Sequence, residues 1–448
     1  MRATLHKQAG QITLMVALSA AVLVGVVGLA LDAGLAYTVK AKLNAATDSA
    51  SLAAARAVTQ GNDQATQAAN AKAAAARFFN ANFPSNYMLS TATMNEPTVT
   101  FDRGKVTIDV TAKATMPVSL MGVLNTSPLS PGVASQTIRK DLDMVVVLDT
   151  SGSLKSVGDT VIDSSQTFLQ KFSASQDRVG LLHFAFGAVI DDPIRTTARG
   201  FDRTSMNNHI GNYVFEGSTA SAEGMYWARK QILSIGTLDR SSLRVIVFFS
   251  DGSPNSFATY LTWKTPSDCN QPGVIYTDDD GSGTPAGLYK LDKTYDDIGG
   301  NCTPSNLPNK TSVLPDWYNG HNPLGKENDV TLREYPIVTN TPRVVSNTIN
   351  YANVNRAARN LVEAMASKSR DEGIFVFTLG LGSQLKTGTG YDKEKGEDTL
   401  KCMANSTDAP SRCFNANKPV GVYCYAATES DLTPCFSKLA SAILRISK

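Results

Sequence analysis

The run Met144-Val145-Val146-Val147-Leu148-Asp149-Thr150-Ser151-Gly152-Ser153 decides the fold of this chain. Its first half, Met144 to Leu148, is wholly apolar and rich in valine. It is too short for a helix and reads as a strand buried on both faces. Asp149 ends the strand, and Ser151 and Ser153 follow at alternate positions on the loop that leaves its carboxyl end. In open α/β sheets that end of the strands is where ligands bind.

A carboxylate and two hydroxyls on one loop are hard oxygen donors, suited to Mg²⁺ or Mn²⁺ in octahedral geometry with positions left for water or a partner. Two further stretches extend the set. Thr219, in Gly217-Ser218-Thr219, precedes the helical spacing Ala222, Met225, Ala228, Ile232, and Asp251 ends a second apolar strand, Val245 to Phe249, where Gly252 lets the chain turn away. Taken singly, these residues are also what helix caps and turns use.

Together, Asp149-Thr150-Ser151-Gly152-Ser153, Thr219 and Asp251-Gly252 resemble the metal-ion-dependent adhesion site of von Willebrand factor A (VWA) domains. The resemblance implies a doubly wound, mostly parallel α/β sheet with helices on both faces. It also implies Asp149, Ser151, Ser153, Thr219 and Asp251 as direct or water-mediated ligands of Mg²⁺ or Mn²⁺, with the open position taken by an acidic residue of a partner.

The chain's 448 residues allow two or three domains. A net charge of +2, with no basic stripe or stacking motif, gives no footprint for nucleic acid. Cys269, Cys302, Cys402, Cys413, Cys424 and Cys435 are even in number and lack zinc spacing, which favours disulfides and an oxidising compartment.

Met1 to Gln11 carries Arg2 and Lys7, and Ile12 to Leu31 is free of charge. A helix over that stretch, at about 1.5 Å per residue, spans a hydrocarbon core of roughly 30 Å. A cleaved signal peptide would have a shorter apolar region with a small-x-small site directly behind it, whereas Gly34 and Ala36 lie beyond Asp32. The expectation is a single-pass anchor in a bacterial inner membrane. The basic end sets the amino terminus in the cytoplasm and the body in the periplasm or at the cell surface, with Lys40 and Lys42 reducing the asymmetry. Ala17, Ala21 and Gly25 form a small-residue stripe open to a second membrane helix, or reflect only the composition of such spans.

Residues 32–83 are alanine-rich, which predicts a long helix with a break near Gly61-Asn62. GQITLMVALSAAVLVGVVGLALDAGLAYTVKAKLNAATDSASLAAARAV resembles the amino-terminal segment of TadG-like proteins of the tight-adherence (Flp) pilus system. The likeness lies in the apolar span, the Asp-x-Gly at Asp32 to Gly34, and the Leu-x-x-Ala-x-Asp-x-Ala pattern of Leu43 to Ala50. Met15 stands where a processed prepilin would carry glutamate, so an anchored assembly protein is expected rather than a polymerising subunit.

Residues 84–140 alternate apolar and polar positions, as in 97–101 and 105–114 around Asp102-Arg103-Gly104, and predict a small antiparallel β subdomain. Runs 116–124 and 132–139 continue the style. From residue 141 strands and helices alternate to residue 448. Leu154, Val157, Val161, Phe168 and Phe172 are spaced for one helix face, Val179 to Phe186 for a strand, and further helices and strands follow at 358–365, 374–379 and 432–443.

Residues 253–342 interrupt this alternation with a Gly-, Pro-, Asn- and Asp-rich stretch, read as an insertion that crowns or covers the site and is closed by a Cys269–Cys302 disulfide. Within it, Asp278, Asp280 and Ser282 with Gly283 match the opening of a Ca²⁺ loop. Its twelfth position, where glutamate belongs, is Tyr289, so a solvated acidic turn is the competing reading. The last four cysteines are expected to pair among themselves, with connectivity open.

The function expected is that of a non-enzymatic, membrane-anchored pilus-assembly or adhesion protein. It would hold a divalent cation to grip an acidic residue of a pilus subunit, another assembly protein or a surface protein, with no small-molecule substrate. A scaffold whose metal only staples its loops is the second reading. A Mg²⁺-dependent phosphatase-like hydrolase is the third, and it lacks the second aspartate two residues after Asp149, where Ser151 stands. The Asp141 and Asp143 pair lies at the wrong end of the strand, and His6, His183, His209 and His321 form no catalytic or metal motif; His183, in an apolar strand, reads as a satisfied core residue.

Overall fold

The computed structural model describes residues 9–58, 64–102, 105–118, 128–236, 239–241, 243–265, 267–303, 305–322 and 333–446. Most of the expected cytoplasmic tail, the Gly61-Asn62 break, the Arg103-Gly104 turn and most of the 116–124 run lie outside them. The chain divides into two compact units, Met1–Arg139 and Lys140–Lys448.

The first unit begins with α1 (Ala9–Ala57), whose apolar first half stays exposed and is long and apolar enough to cross a membrane. Further along α1 a buried stripe appears at Val39, Leu43, Ala46, Ala50 and Ala54, spaced for one helix face. There α2 (Gln64–Asn82) packs back on α1 through Ala71, Ala75 and Phe79, with Asn82 Nδ2 donating to Ser49 Oγ at 3.0 Å. Alanines on both helices let the backbones approach closely, so the alanine-rich region is a helical hairpin rather than one continuous rod. The strands β1 (Thr91–Met94), β2 (Thr98–Asp102), β3 (Lys105–Thr115) and β4 (Gly132–Lys140) form an antiparallel sheet. Alternate residues of β3, Val106, Ile108, Val110, Ala112 and Ala114, share one core with the helices.

In the second unit every residue of β5 (Leu142–Asp149) is buried. A 3₁₀ turn over Gly152–Val157 precedes α3 (Gly158–Leu169), so the apolar spacing from Leu154 to Phe172 crosses two helical pieces and ends beyond the second. The strand β6 (Arg178–Phe184) turns straight back into β7 (Ala188–Asp192), an antiparallel edge hairpin that the single apolar run 179–186 concealed. Then come α4 (Arg203–Gly211), α5 (Ser221–Leu233) and β8 (Leu243–Ser250).

The insertion contributes β9 (Ser256–Thr259), β10 (Gly273–Tyr276), β11 (Ala286–Tyr289) and the one-turn α6 (Leu307–Lys310). The domain resumes with α7 (Tyr351–Asp371), β12 (Phe375–Leu381), the two-residue strands β13 (Gly388–Thr389) and β14 (Glu394–Lys395), α8 (Gly396–Ala404), β15 (Tyr423–Ala426) and α9 (Leu432–Ile446).

The main sheet runs β15-β12-β8-β5-β6-β7, parallel throughout except at β7. Side chains leave β5 alternately to two cores. Val145 and Val147 join the cluster that holds residues of α5 and α7 on one face, while Met144, Val146 and Leu148 join the cluster that holds Phe168, Phe436 and Leu439 on the other. A Cβ on Gly224 of α5 would stand 2.8 Å from Phe184 and 2.9 Å from Val147, so glycine there lets the helix lie against the sheet.

The insertion is no loose crown. Trp263, Leu307, Leu314, Tyr318 and Ile337 are buried and share one core with α5 and α7, and β9, β10 and β11 form their own antiparallel sheet. The cysteines pair as Cys269–Cys302, Cys402–Cys413 and Cys424–Cys435.

Candidate metal centre

The parallel strands β5, β6 and β8 end together, so the loops after them meet at one place. Thr150 N–H donates to Phe184 O at 2.9 Å, closing the β5 loop against β6. Glu216 N–H donates to Thr150 O at 2.9 Å and Gly152 N–H to Gly217 O at 3.1 Å, which sets the loop carrying Thr219 beside the one carrying the serines. Gly217, at φ 93°, allows this turn, and a Cβ there would stand 2.7 Å from Thr294 O.

Asp149 is fully buried at the bottom of the centre. Its Oδ1 accepts from Ser151 N–H at 2.8 Å and its Oδ2 from the Ser250 hydroxyl at 2.6 Å, so the carboxylate is fixed on both sides. Ser151 Oγ lies 3.2 Å from Ser153 Oγ, and Ser153 Oγ donates to Asp251 Oδ1 at 2.9 Å. Thr219 lies beside them, since a Cβ added to Gly252 would stand 3.1 Å from its Oγ1. The structure thus brings together Asp149, Ser151, Ser153, Thr219 and Asp251.

Two residues that sequence reasoning missed hold this set in place. One is Ser250. The other is Asn255, whose Oδ1 accepts from Ser218 Oγ at 2.5 Å and from Thr219 N–H at 3.0 Å, tying the Thr219 loop to the chain just past Asp251. Ser250 is one more small residue in FSDGS, and Asn255 sits in the first residues of a turn-rich stretch, so neither position carries a pattern.

Burial pushes the Asp149 carboxyl up to about 6. Burial, then the charge of Asp149, pushes Asp251 up to about 8. Two carboxyls that resist ionisation together are stabilised by a cation between them. Among the described residues no three His, Cys, Asp or Glu side chains group as a metal site. A cation here would therefore take two carboxylates and neutral hydroxyls, a hard oxygen set that fits Mg²⁺ or Mn²⁺ and leaves the ion short of negative charge.

Ser151, Ser153, Thr219 and Asp251 line a cavity of about 560 Å³. Its other wall comes from the insertion and the β6–β7 turn and includes Phe186, Tyr276, Tyr289, Tyr295, Asp278 and Asp279. The insertion thus shares this cavity with the centre.

Of the candidate Ca²⁺ loop, Asp278 faces this cavity. Asp280 is engaged in a turn, accepting from Ser282 N–H at 2.8 Å, and Tyr289 stacks on Phe186 with ring centroids 3.5 Å apart. Elsewhere His183 is satisfied by Asp191 at 2.8 Å, and Asp143, at the opposite end of β5, accepts from Ser241, Arg178 and Arg199.

A parallel sheet with one antiparallel edge, two helical layers and this ring of oxygens above β5 define a VWA domain. In agreement, residues 143–268 match the von Willebrand factor type A domain model. Residues 10–57 match the Flp pilus-assembly TadE/G-like model, so the chain joins a Tad pilus-assembly segment to a VWA domain.

Among solved structures, the vWF domain of the type V pili tip protein Mfa5 from Porphyromonas gingivalis is similar at 13% identity and a TM-score of 0.39, over 70% of this chain and 98% of that one. The pilus adhesin SpaC from Lactobacillus rhamnosus GG is similar at 13% identity and 0.39, over 80% and 35%. Proximal thread matrix protein 1 from the mussel byssus, with a zinc-occupied MIDAS motif, is similar at 11% and 0.33, over 68% and 46%. This chain therefore spans about a third of the SpaC chain and under half of the byssus protein. No curated protein matches the chain in sequence.

Proposed function

We propose that this protein is a membrane-anchored, non-enzymatic component of pilus assembly or adhesion that holds Mg²⁺ or Mn²⁺ through Asp149, Ser151, Ser153, Thr219 and Asp251. The ion grips a carboxylate of a pilus subunit, a further assembly protein or a surface protein. The observation that carries the reading is the cluster itself: a doubly anchored Asp149 below, and above it Ser151, Ser153, Thr219 and Asp251 lining one cavity, with Ser153 hydrogen-bonded to Asp251.

The division of labour follows from charge. Asp149 and Asp251 supply the negative charge, and the hydroxyls supply donors that add none, so the ion keeps an affinity for one more anionic oxygen. The apolar half of α1 supplies the anchor, with the basic amino end on the cytoplasmic side and the body in the periplasm or at the cell surface.

Calorimetric titration of the full-length protein in detergent with Mg²⁺ and Mn²⁺ tests the centre. Native protein takes up the ion, and Asp149→Ala and Asp251→Ala abolish uptake while keeping the far-ultraviolet circular dichroism of the native fold. A folded native protein that takes up neither ion refutes the reading.

A further inference from the structure

We infer that a second cavity, beside the carboxyl-terminal half of α7, docks the end of a partner polypeptide through the carboxylate of an apolar last residue. The cavity, of about 460 Å³, lies between that half of α7, the last residues of the insertion and the loop that follows α8. It is remote from the metal centre. Tyr351, which opens α7, donates from its hydroxyl to the carbonyl of Asp278 at 2.7 Å on the wall of the metal cavity, and Arg370 stands about 28 Å further along the helix.

The charges in this second cavity do not balance. Glu363, Ser367 and Arg370 are spaced for one face of α7, and all three line it. Glu363 accepts from Arg412 at both oxygens, at 2.5 and 3.0 Å, and from Arg343 at 3.0 Å. Asp371 is held by Lys418 at 3.0 Å. Both acids are therefore taken, and Arg370 is left over. It is only 5% exposed, one of its N–H groups donates to Met403 O, and among the described residues no carboxylate lies within ion-pair distance of it. Burial pushes the Arg370 guanidinium down to about 10, which the charges of Asp371 and Glu363 oppose without cancelling. A buried cation short of a counter-ion favours an anion that can reach it.

The surplus is a single positive charge, which a carboxylate matches and a phosphate group, at about −2, exceeds. Pro336, Pro342, Ala364 and the 37% exposed ring of Phe414 line the same cavity and give it an apolar side. The last residue of a chain carries its carboxylate and its side chain on one Cα, so it can meet Arg370 and that apolar side together. The loop bearing Arg412 and Phe414 is set beforehand. Cys413 is bonded to Cys402 of α8, Asn415 N–H donates to Asn405 Oδ1 at 2.7 Å, and Asn405 Nδ2 donates to Asn415 O at 2.8 Å. A preformed site loses less on binding.

The test uses full-length protein in detergent with EDTA, so that no divalent cation contributes, and peptides labelled with fluorescein at the amino end and read by fluorescence polarisation. The parent, Gly-Gly-Ser-Gly-Leu, has a free carboxylate. The others are its carboxyl-terminal amide, the free acid ending in Gly, and an amidated peptide with an internal Asp-Leu. The parent is expected to bind about tenfold or more tightly than its amide and at least about threefold more tightly than the peptide ending in Gly. Arg370→Gln keeps a donor for Met403 O, and Ser367→Trp fills the cavity from an exposed position of α7. In each, the advantage of acid over amide falls below about twofold while the circular dichroism of the native fold persists.

If Arg370→Gln does not fold, Ser367→Trp decides alone. Absence of binding by the parent, equal binding of acid and amide, or an advantage that survives in the folded variants overturns the inference. So does a Gly-ended or internal Asp peptide that binds as tightly as the parent, or displacement of the parent by an equal concentration of inorganic phosphate. None of these outcomes bears on the metal reading, which rests on other residues.

Discussion

The Ser250 hydroxyl donates to Asp149 Oδ2 at 2.6 Å, reaching across from the end of β8 to the end of β5. Ser250 also accepts from Gly252 N–H at 3.2 Å, so one small side chain sets both the carboxylate under the metal centre and the turn that carries Asp251. Groups that orient metal ligands from behind typically alter affinity by about ten- to a hundredfold when removed. Ser250→Ala is therefore expected to weaken Mg²⁺ binding by about tenfold in calorimetry with the fold intact. An unchanged affinity would show that strand pairing alone orients Asp149.

The two raised carboxyls give the metal-free protein a pH dependence with a definite sign. An acid whose folded value lies above its unfolded value, about 4, stabilises the fold fully below that value. The contribution is lost as pH rises through about 6 for Asp149 and about 8 for Asp251. With chelator present, the melting temperature of native protein should fall more steeply from pH 5 to pH 8.5 than that of Asp251→Asn, which lacks the second acid. On the proposed metal reading Mg²⁺ binds the ionised pair, so it should reverse the trend, and its affinity should climb over the same range. Parallel melting curves for the two proteins in chelator would contradict this account.

Much of this is legible in the sequence, for physical reasons that differ from element to element. The valines of β5 could only be a buried central strand, and in a parallel sheet the loop after such a strand faces the ligand crevice, so Asp149, Ser151 and Ser153 followed directly. Thr219 and Asp251, which the structure sets beside that loop, each adjoin a strong periodic pattern.

What escaped was either too short to show a period, like β15 and α8, or hidden inside one apolar run, like the β6–β7 turn. The insertion misled for another reason. Its glycines and prolines mask a scatter of core residues, Trp263, Leu314 and Ile337 among them, that find partners only across distant stretches of sequence. The aromatic wall depends on the same long-range pairing, since Phe186 and Tyr289 meet only through backbone bonds between the insertion and the β6–β7 turn.

The Cys269–Cys302 bridge closes a stretch with a sequence separation of 33 residues inside the insertion. By the loop-entropy relation, removing it with the Cys269→Ser and Cys302→Ser double variant should cost about 3–4 kcal/mol. Chemical denaturation would read this as a lower midpoint. Mg²⁺ affinity should hold within about twofold, because none of the proposed ligands lies within that loop; a factor near ten would be worth about 1.4 kcal/mol. A large loss of metal binding would mean that the insertion orders the centre as well as walling it.

The insertion is joined to the sheet's helical layer through one buried acid. Glu223 of α5 is fully buried; its Oε1 accepts from Ala258 N–H at 3.0 Å and from the Tyr318 hydroxyl at 2.7 Å, and its Oε2 lies 2.7 Å from His321 Nε2. Three partners from two stretches of the insertion, Ala258 in one and Tyr318 with His321 in the other, thus converge on one side chain, and Tyr226 of the same helix stacks on His321 with centroids 4.5 Å apart. Glu223→Ala leaves all three without an acceptor in a dry site, a loss of about 3–5 kcal/mol. Glu223→Gln keeps an acceptor oxygen for two of them and should lose roughly half as much. Because β5 and β8 are untouched, the expected signature is early cleavage within residues 253–342 by a low dose of protease, while the rest of the domain stays resistant. If both variants instead melt as one cooperative unit with uniform protease sensitivity, the insertion is an inseparable part of the VWA core and Glu223 supports the whole of it.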